Sequence, residues 1–163
     1  MHDWLLSFCQ WLEHASLIEA VDNSTWLYPA IEATHFFSLF MLVGTIAFVD
    51  LRVLGLAGRG QTVGEIAEQL FPWTWISLGL AVVTGFFMFG SEATAFFDSG
   101  YFRIKLLVIV AGVVVAGIIQ RKARGWGQSP AIPAGAKVAA LVSLLLWIGV
   151  ILAATEVANH ANV

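Results

Sequence analysis

Trp26-Leu-Tyr-Pro-Ala-Ile-Glu-Ala-Thr-His-Phe-Phe37, continued by Phe48-Val-Asp50-Leu-Arg-Val-Leu-Gly55, is the stretch that decides how this chain is read. Between its halves, Phe36 to Val49 carries no charge, and with its flanks the run is long enough to cross a bilayer. Glu32 and His35 lie about one turn inside one end, and Asp50 and Arg52 stand at the other. An ionisable group at membrane depth is costly and by default marks a functional position.

The rest of the composition fits lipid rather than water. Of 163 residues, 59% are hydrophobic and 12% charged, whereas soluble domains are near half apolar and about a quarter charged. The mean hydropathy is +0.83. A net charge of −3 with eight Lys and Arg spread over loops forms no nucleic-acid patch. Cys9 is the only cysteine, which excludes an intrachain disulfide and a thiolate metal cluster. The start, Met-His-Asp-Trp, lacks the basic region and the small-residue cleavage site of a signal peptide, so it is expected to be retained.

Residues 3–21 read as an amphipathic helix, with Trp4, Leu5, Phe8, Trp11, Leu12 and Ala15 at helical spacing. The run is too polar to span and is expected to lie in the interface plane. The first membrane helix covers about Trp26 to Leu54, with Pro29 in its first turn, where a missing N–H is harmless. Gly55, Gly58 and Gly60 close it. An amphipathic lead, Val63 to Leu70, precedes the second span, Phe71 to Ser91, which carries no charge. Ser91 to Gly100 reads as a loop. The third span covers about Tyr101 to Gln120, and Arg121-Lys-Ala-Arg124 opens a basic loop rich in Gly and Pro. The fourth runs from about Gly135 to Val157. The expected fold is all-α: residues 1–23 form an interfacial helix and turn, and residues 24–163 a four-helix transmembrane bundle.

Arg52, Arg59, Arg121, Lys122, Arg124 and Lys137 flank one set of loops, against only Arg103 and Lys105 on the other side. The positive-inside rule then directs both termini away from the cytoplasm. This topology brings Glu32, His35, Arg103, Lys105, Glu156 and His160, with His14 of the amphipathic helix, to one membrane side. Arg103 and Lys105 defy the loop bias and sit at a helix N-terminus, where the macrodipole favours anions. A carboxylate of the protein or of a bound cofactor is expected to compensate them; a solvated, salt-bridged rim is the plainer alternative.

His35 is the sharper candidate. A neutral imidazole in apolar surroundings can ligate haem iron or a metal, its other nitrogen being hydrogen-bonded. It can equally shape the bundle alone, bonded to Glu32 or to a neighbouring helix. Glu32-x-x-His35 and Glu156-x-x-x-His160 each place two ligand types on one helix face. A di-iron site needs two Glu-x-x-His pairs, and the chain has one. His160 and His14 are candidate second haem ligands, Arg103 and Lys105 candidate partners for its propionates. Glu32, His35, Glu156 and His160 are the candidate metal ligands. Met41 and Met88 are further soft donors. For Asp50 a structural pairing with Arg121, Lys122 or Arg124 is expected, with an ion or proton relay as the alternative.

Trp26-Leu-Tyr-Pro-Ala-Ile-Glu-Ala-Thr-His35-Phe, Val-Gly44, Val-Asp50-Leu-Arg-Val-Leu-Gly-Leu, Pro-Trp73-Thr-Trp75, Val-Thr-Gly85 and Tyr-Phe-Arg103-Ile-Lys105 resemble a family of small bacterial inner-membrane proteins known only as a domain of unknown function. The resemblance covers nearly all of residues 24–160. Where that pattern often ends the third helix with His, this chain has Ile118-Ile-Gln120. The layout also resembles four-helix membrane proteins linked to copper resistance and small membrane b-type cytochromes. The resemblance implies a multi-pass protein of the bacterial inner membrane.

No hydrolase triad, phosphate loop or nucleotide fingerprint is visible. Three functions fit the pattern. One is an electron carrier with haem b beside His35 and a periplasmic redox partner. Another handles copper or a second metal, passing it to or from a metal-carrying protein. The third is a non-catalytic subunit, either of a homo-oligomer or of a larger membrane complex.

Overall fold

Apolar runs longer than a bilayer's hydrocarbon core leave the backbone one economical choice, because every N–H and C=O must be satisfied without water. In the computed structural model these runs are helices. It describes residues 2–58, 60–126 and 132–161, with the side chains of residues 2, 3, 98, 124 and 155–161 outside that description. The elements are α1 (His2–Glu13), α2 (Ser16–Asp22), α3 (Leu27–Val53), α4 (Val63–Ser91), α5 (Ala93–Asp98), α6 (Gly100–Trp126) and α7 (Ala134–Ala161), with no strand among the described residues. Four of them, α3, α4, α6 and α7, are long and apolar enough to cross a membrane. At 27 residues, α3 is about 40 Å long and overreaches a hydrocarbon core of about 30 Å.

Short connections make successive helices antiparallel neighbours. The four long helices form a ring in which α4 and α7 each pack against both α3 and α6. Their interior holds two apolar clusters. One gathers Val49, Val53, Ile66, Ile119, Ala123 and Ala140 towards the α3–α4 loop. The other gathers Leu42, Ile46, Ala116, Trp147 and Val150 further along the bundle. Trp147 lies against Gly112, where a Cβ would come within 3.3 Å of the indole.

The observed boundaries differ from those expected in instructive ways. The lead segment and the second span are one helix, α4, which a capping box starts. Thr62 Oγ1 accepts from the Glu65 amide, and the Thr62 amide donates to Glu65 Oε2 at 2.7 Å. Pro72 therefore falls inside a helix. The third span runs on through Arg121 and Lys122 to Trp126. Gly58 turns the chain between α3 and α4 at φ +61°, with Ile66 too close for any side chain there.

The amphipathic segment is two helices rather than one. His14 Nδ1 lies 2.8 Å from the Gln10 carbonyl, which closes α1, and Ala15 is extended. The break turns Cys9 and Leu12 of α1 and Ile18 of α2 onto a single cluster with Ala93. The aromatic face of α1 points outward instead, with Trp4 70% and Trp11 65% exposed. The expected loop at Ser91–Gly100 holds α5, whose first turn is capped from α1. Glu13 Oε1 accepts from the Thr94 amide at 2.8 Å and from its hydroxyl at 2.7 Å, a favourable place for a carboxylate.

Gly90 decides how closely α2 can approach α4, since a Cβ there would stand 2.6 Å from Ile18 Cδ1 and 3.1 Å from its Cγ1. Gly90→Val is expected to cost about 1–3 kcal/mol in overpacking and to lift α2 from the bundle. Hydrogen exchange should accelerate across residues 2–22 while α3 keeps its protection; unchanged exchange in α2 would contradict this packing.

Candidate functional site

The inward face of α4 repeats small residues at positions 74, 77, 81 and 84: Thr74, Ser77, Ala81 and Thr84, all buried. This spacing lets α3 approach closely and gives its polar side chains partners within the membrane. The seam carries His35 at one end and a hydroxyl–amide chain at the other.

His35 projects from α3 and is half-buried. Its Nδ1 lies 2.9 Å from Thr84 Oγ1. The threonine has a single proton, and Thr84 Oγ1 gives it to the Leu80 carbonyl at 2.6 Å. The hydroxyl must then accept from the ring, which in the neutral imidazole places the proton on Nδ1 and leaves Nε2 as a lone pair. The Ala81 carbonyl of α4 is a second, backbone partner of the ring. Gly85 makes room for the ring, since a Cβ there would stand 3.1 Å from His35 Cε1 and 4.0 Å from Nε2. Lys105, half-buried on α6, is the charged side chain whose field reaches the ring.

The other candidates distribute around this point unevenly. Glu32 is half-buried but belongs with Glu92 and Asp22 to the surroundings of Tyr28; the hydrogen bond of His35 goes to α4 instead. Arg103 is exposed and closes α5, donating to the Phe97 carbonyl from Nη2 at 2.7 Å, with its guanidinium 5.4 Å from the Phe97 ring centre. A helix-terminal carbonyl is thus a partner of this cation among the described residues. His14 is exposed and engaged with Gln10. Met41 and Met88 are half-buried. The side chains of Glu156 and His160 lie outside the described residues. Among the described residues no three His, Cys, Asp or Glu side chains gather as a metal site.

At the other end of the seam Gln120 Nε2 donates to Thr74 Oγ1 at 3.2 Å, and Thr74 Oγ1 lies 3.0 Å from both the Leu70 carbonyl and Thr45 Oγ1. The Thr45 hydroxyl passes its proton to the Leu42 carbonyl. Asp50 is 1% exposed and Ser143 fully buried. Of the cations expected to pair with Asp50, Arg121 and Lys122 are exposed and the side chain of Arg124 lies outside the described residues; the nearby Arg52 donates from Nε to the Gln61 carbonyl at 2.8 Å.

Two pairings were not read from the chain alone: Thr84 as the partner of the imidazole, and Ser143 beside Asp50. Small polar residues recurring at heptad spacing along α4 are the local signal for the first. Nothing local signals the second.

Four lipid-length helices, a polar seam between α3 and α4, and an imidazole held on that seam define a multi-pass membrane bundle. The chain belongs to a family of unknown function (DUF6644), whose family model matches residues 8–158. No curated protein and no solved structure matches it.

Thr84→Val keeps the shape of the side chain but removes the acceptor for His35 Nδ1–H. It is expected to cost about 1–3 kcal/mol of bundle stability, measured by equilibrium unfolding in mixed micelles, whereas Thr84→Ser restores most of it. Equal stability of the valine variant would show that the 2.9 Å contact carries no hydrogen bond.

Proposed function

We propose that the protein is a haem b electron carrier of the bacterial inner membrane, with both termini periplasmic, in which His35 would hold the iron through Nε2. The observation that supports this reading is the division of labour on the imidazole. Nδ1–H is committed to a hydroxyl whose own proton is spent on Leu80, while Nε2 keeps its lone pair. Metal-ligating histidines are oriented in this way, by a partner on the nitrogen that does not bind.

The donor set favours a porphyrin over a bare ion. A porphyrin supplies four of the iron's ligands itself and asks the protein for one or two, which matches a single oriented imidazole. A bare transition-metal ion asks for about three or four protein ligands. Lys105, whose charge reaches the ring, would neutralise a propionate. His160 is the candidate for the second axial place. When bound, haem would supply one-electron exchange between ferric and ferrous iron. Thr84 would hold the ring's tautomer, and Gly85 would let the ring lie against the backbone of α4. The redox partner would be a periplasmic protein.

Protein produced in haem-replete cells is expected to show a Soret band and a reduced α-band. His35→Ala should abolish both, and Thr84→Val should weaken haem retention about 10–100-fold, the usual worth of a ligand's hydrogen-bond partner. Lack of the bands in haem-replete protein would overturn the proposal. Metal analysis of the same sample separates haem from a bare ion held by His35 and Glu32.

A further inference from the structure

A second polar centre lies away from His35, in the half of the bundle nearest the α3–α4 loop. Asp50 of α3 stands beside Val49, and Gln120 of α6 beside Ile119. Ser143 of α7 lies one turn from Ala140. Val49, Ile119 and Ala140 belong to one contiguous cluster, so the three polar residues share a level of the bundle. On the far side of that level, Ile46, Ala116 and Trp147 form the next cluster. A polar layer is thus closed between two apolar ones.

Each of the three residues keeps an oxygen with no protein partner: Asp50 Oδ2, Gln120 Oε1 and Ser143 Oγ. All three residues are at most 2% exposed. The Ser143 hydroxyl faces the Asp50 carboxyl without meeting hydrogen-bond geometry. Gln120 is turned by its amide nitrogen, which donates to Thr74 and so leaves its carbonyl oxygen free. A crevice of about 10 Å³ lies on the α4 side of Gln120, lined by Thr74 and Ile46 and not by Asp50 or Ser143.

Three unpartnered oxygens, one of them a carboxylate's, make a costly arrangement in a low dielectric unless something positive is held there. No protein cation fills that role among the described residues. On α3, Arg52 is bound to the Gln61 carbonyl. On α4, Glu65 and Glu68 are exposed, as are Arg121 and Lys122 on α6 and Lys137 on α7. We infer that Asp50, Gln120 and Ser143 line a binding site for one small monovalent cation, a proton or sodium, inside the bundle. Oxygen-only ligands suit a hard cation. The inference is independent of the haem reading, since none of its residues touches His35.

Infrared difference spectroscopy on the full chain in lipid nanodiscs tests it. The carbonyl band of a protonated carboxyl is expected to disappear as pH rises, and to be missing from Asp50→Asn. If sodium is the occupant, adding it at fixed pH, but not choline, removes the band as well; if the proton is, only pH does. Ser143→Ala keeps the carboxyl and is expected to move the midpoint by about tenfold in cation concentration, the worth of one lost oxygen ligand. A band that neither pH nor sodium changes, or a midpoint unmoved in Ser143→Ala, would overturn the site.

Discussion

The contact between α3 and α4 depends on where one hydroxyl proton goes. In lipid a polar group without a protein partner has no water to turn to, so the Thr84 hydroxyl cannot be a passive neighbour of His35. By donating to Leu80 it becomes an acceptor, and the imidazole is left one way to satisfy it. The hydroxyl thereby orients the ring across Gly85 and favours the tautomer with its proton on Nδ1. The short side chains of α4 at 77, 81 and 84 make the approach possible.

The two polar centres of the bundle are built on opposite principles. Around His35 one nitrogen meets a hydroxyl of α4, and the haem reading assigns the other to iron. Around Asp50 three buried oxygens have no protein partner, while Gln120 donates to Thr74, and Thr74 and Thr45 each reach a carbonyl of their own helix. Among the described residues, Arg103 closes α5 and Arg52 closes the α3–α4 turn, so these two guanidinium groups secure helix ends. Lys105 differs, being half-buried and within electrostatic reach of His35.

Much of this architecture was legible in the chain because lipid imposes local rules. Charge-free runs of spanning length marked the four long helices, and an imidazole inside such a run marked His35. Helix ends were less legible, because hydropathy records where lipid stops and not where hydrogen bonding stops. Hence α6 continues through the charged Arg121 and Lys122, and α4 begins at a capping box well before its apolar run. Partners across the bundle were not legible at all. Thr84 is 49 residues from His35, and Thr94 is 81 from Glu13; such pairs depend on how each helix is rotated about its axis. Asp50 shows the same limit, since Arg121 and Lys122 reach outward to water, as long cationic side chains do at membrane boundaries.

The central claim is that His35 keeps its proton on Nδ1 and offers Nε2 to a ligand. Nitrogen NMR of histidine-labelled protein in nanodiscs, assigned with His35→Ala, tests it most directly. The account predicts a protonated Nδ1 and an unprotonated Nε2 in the haem-free protein, with the Nε2 signal shifted or broadened when haem is added. A proton on Nε2, or an Nε2 signal indifferent to haem, would contradict it.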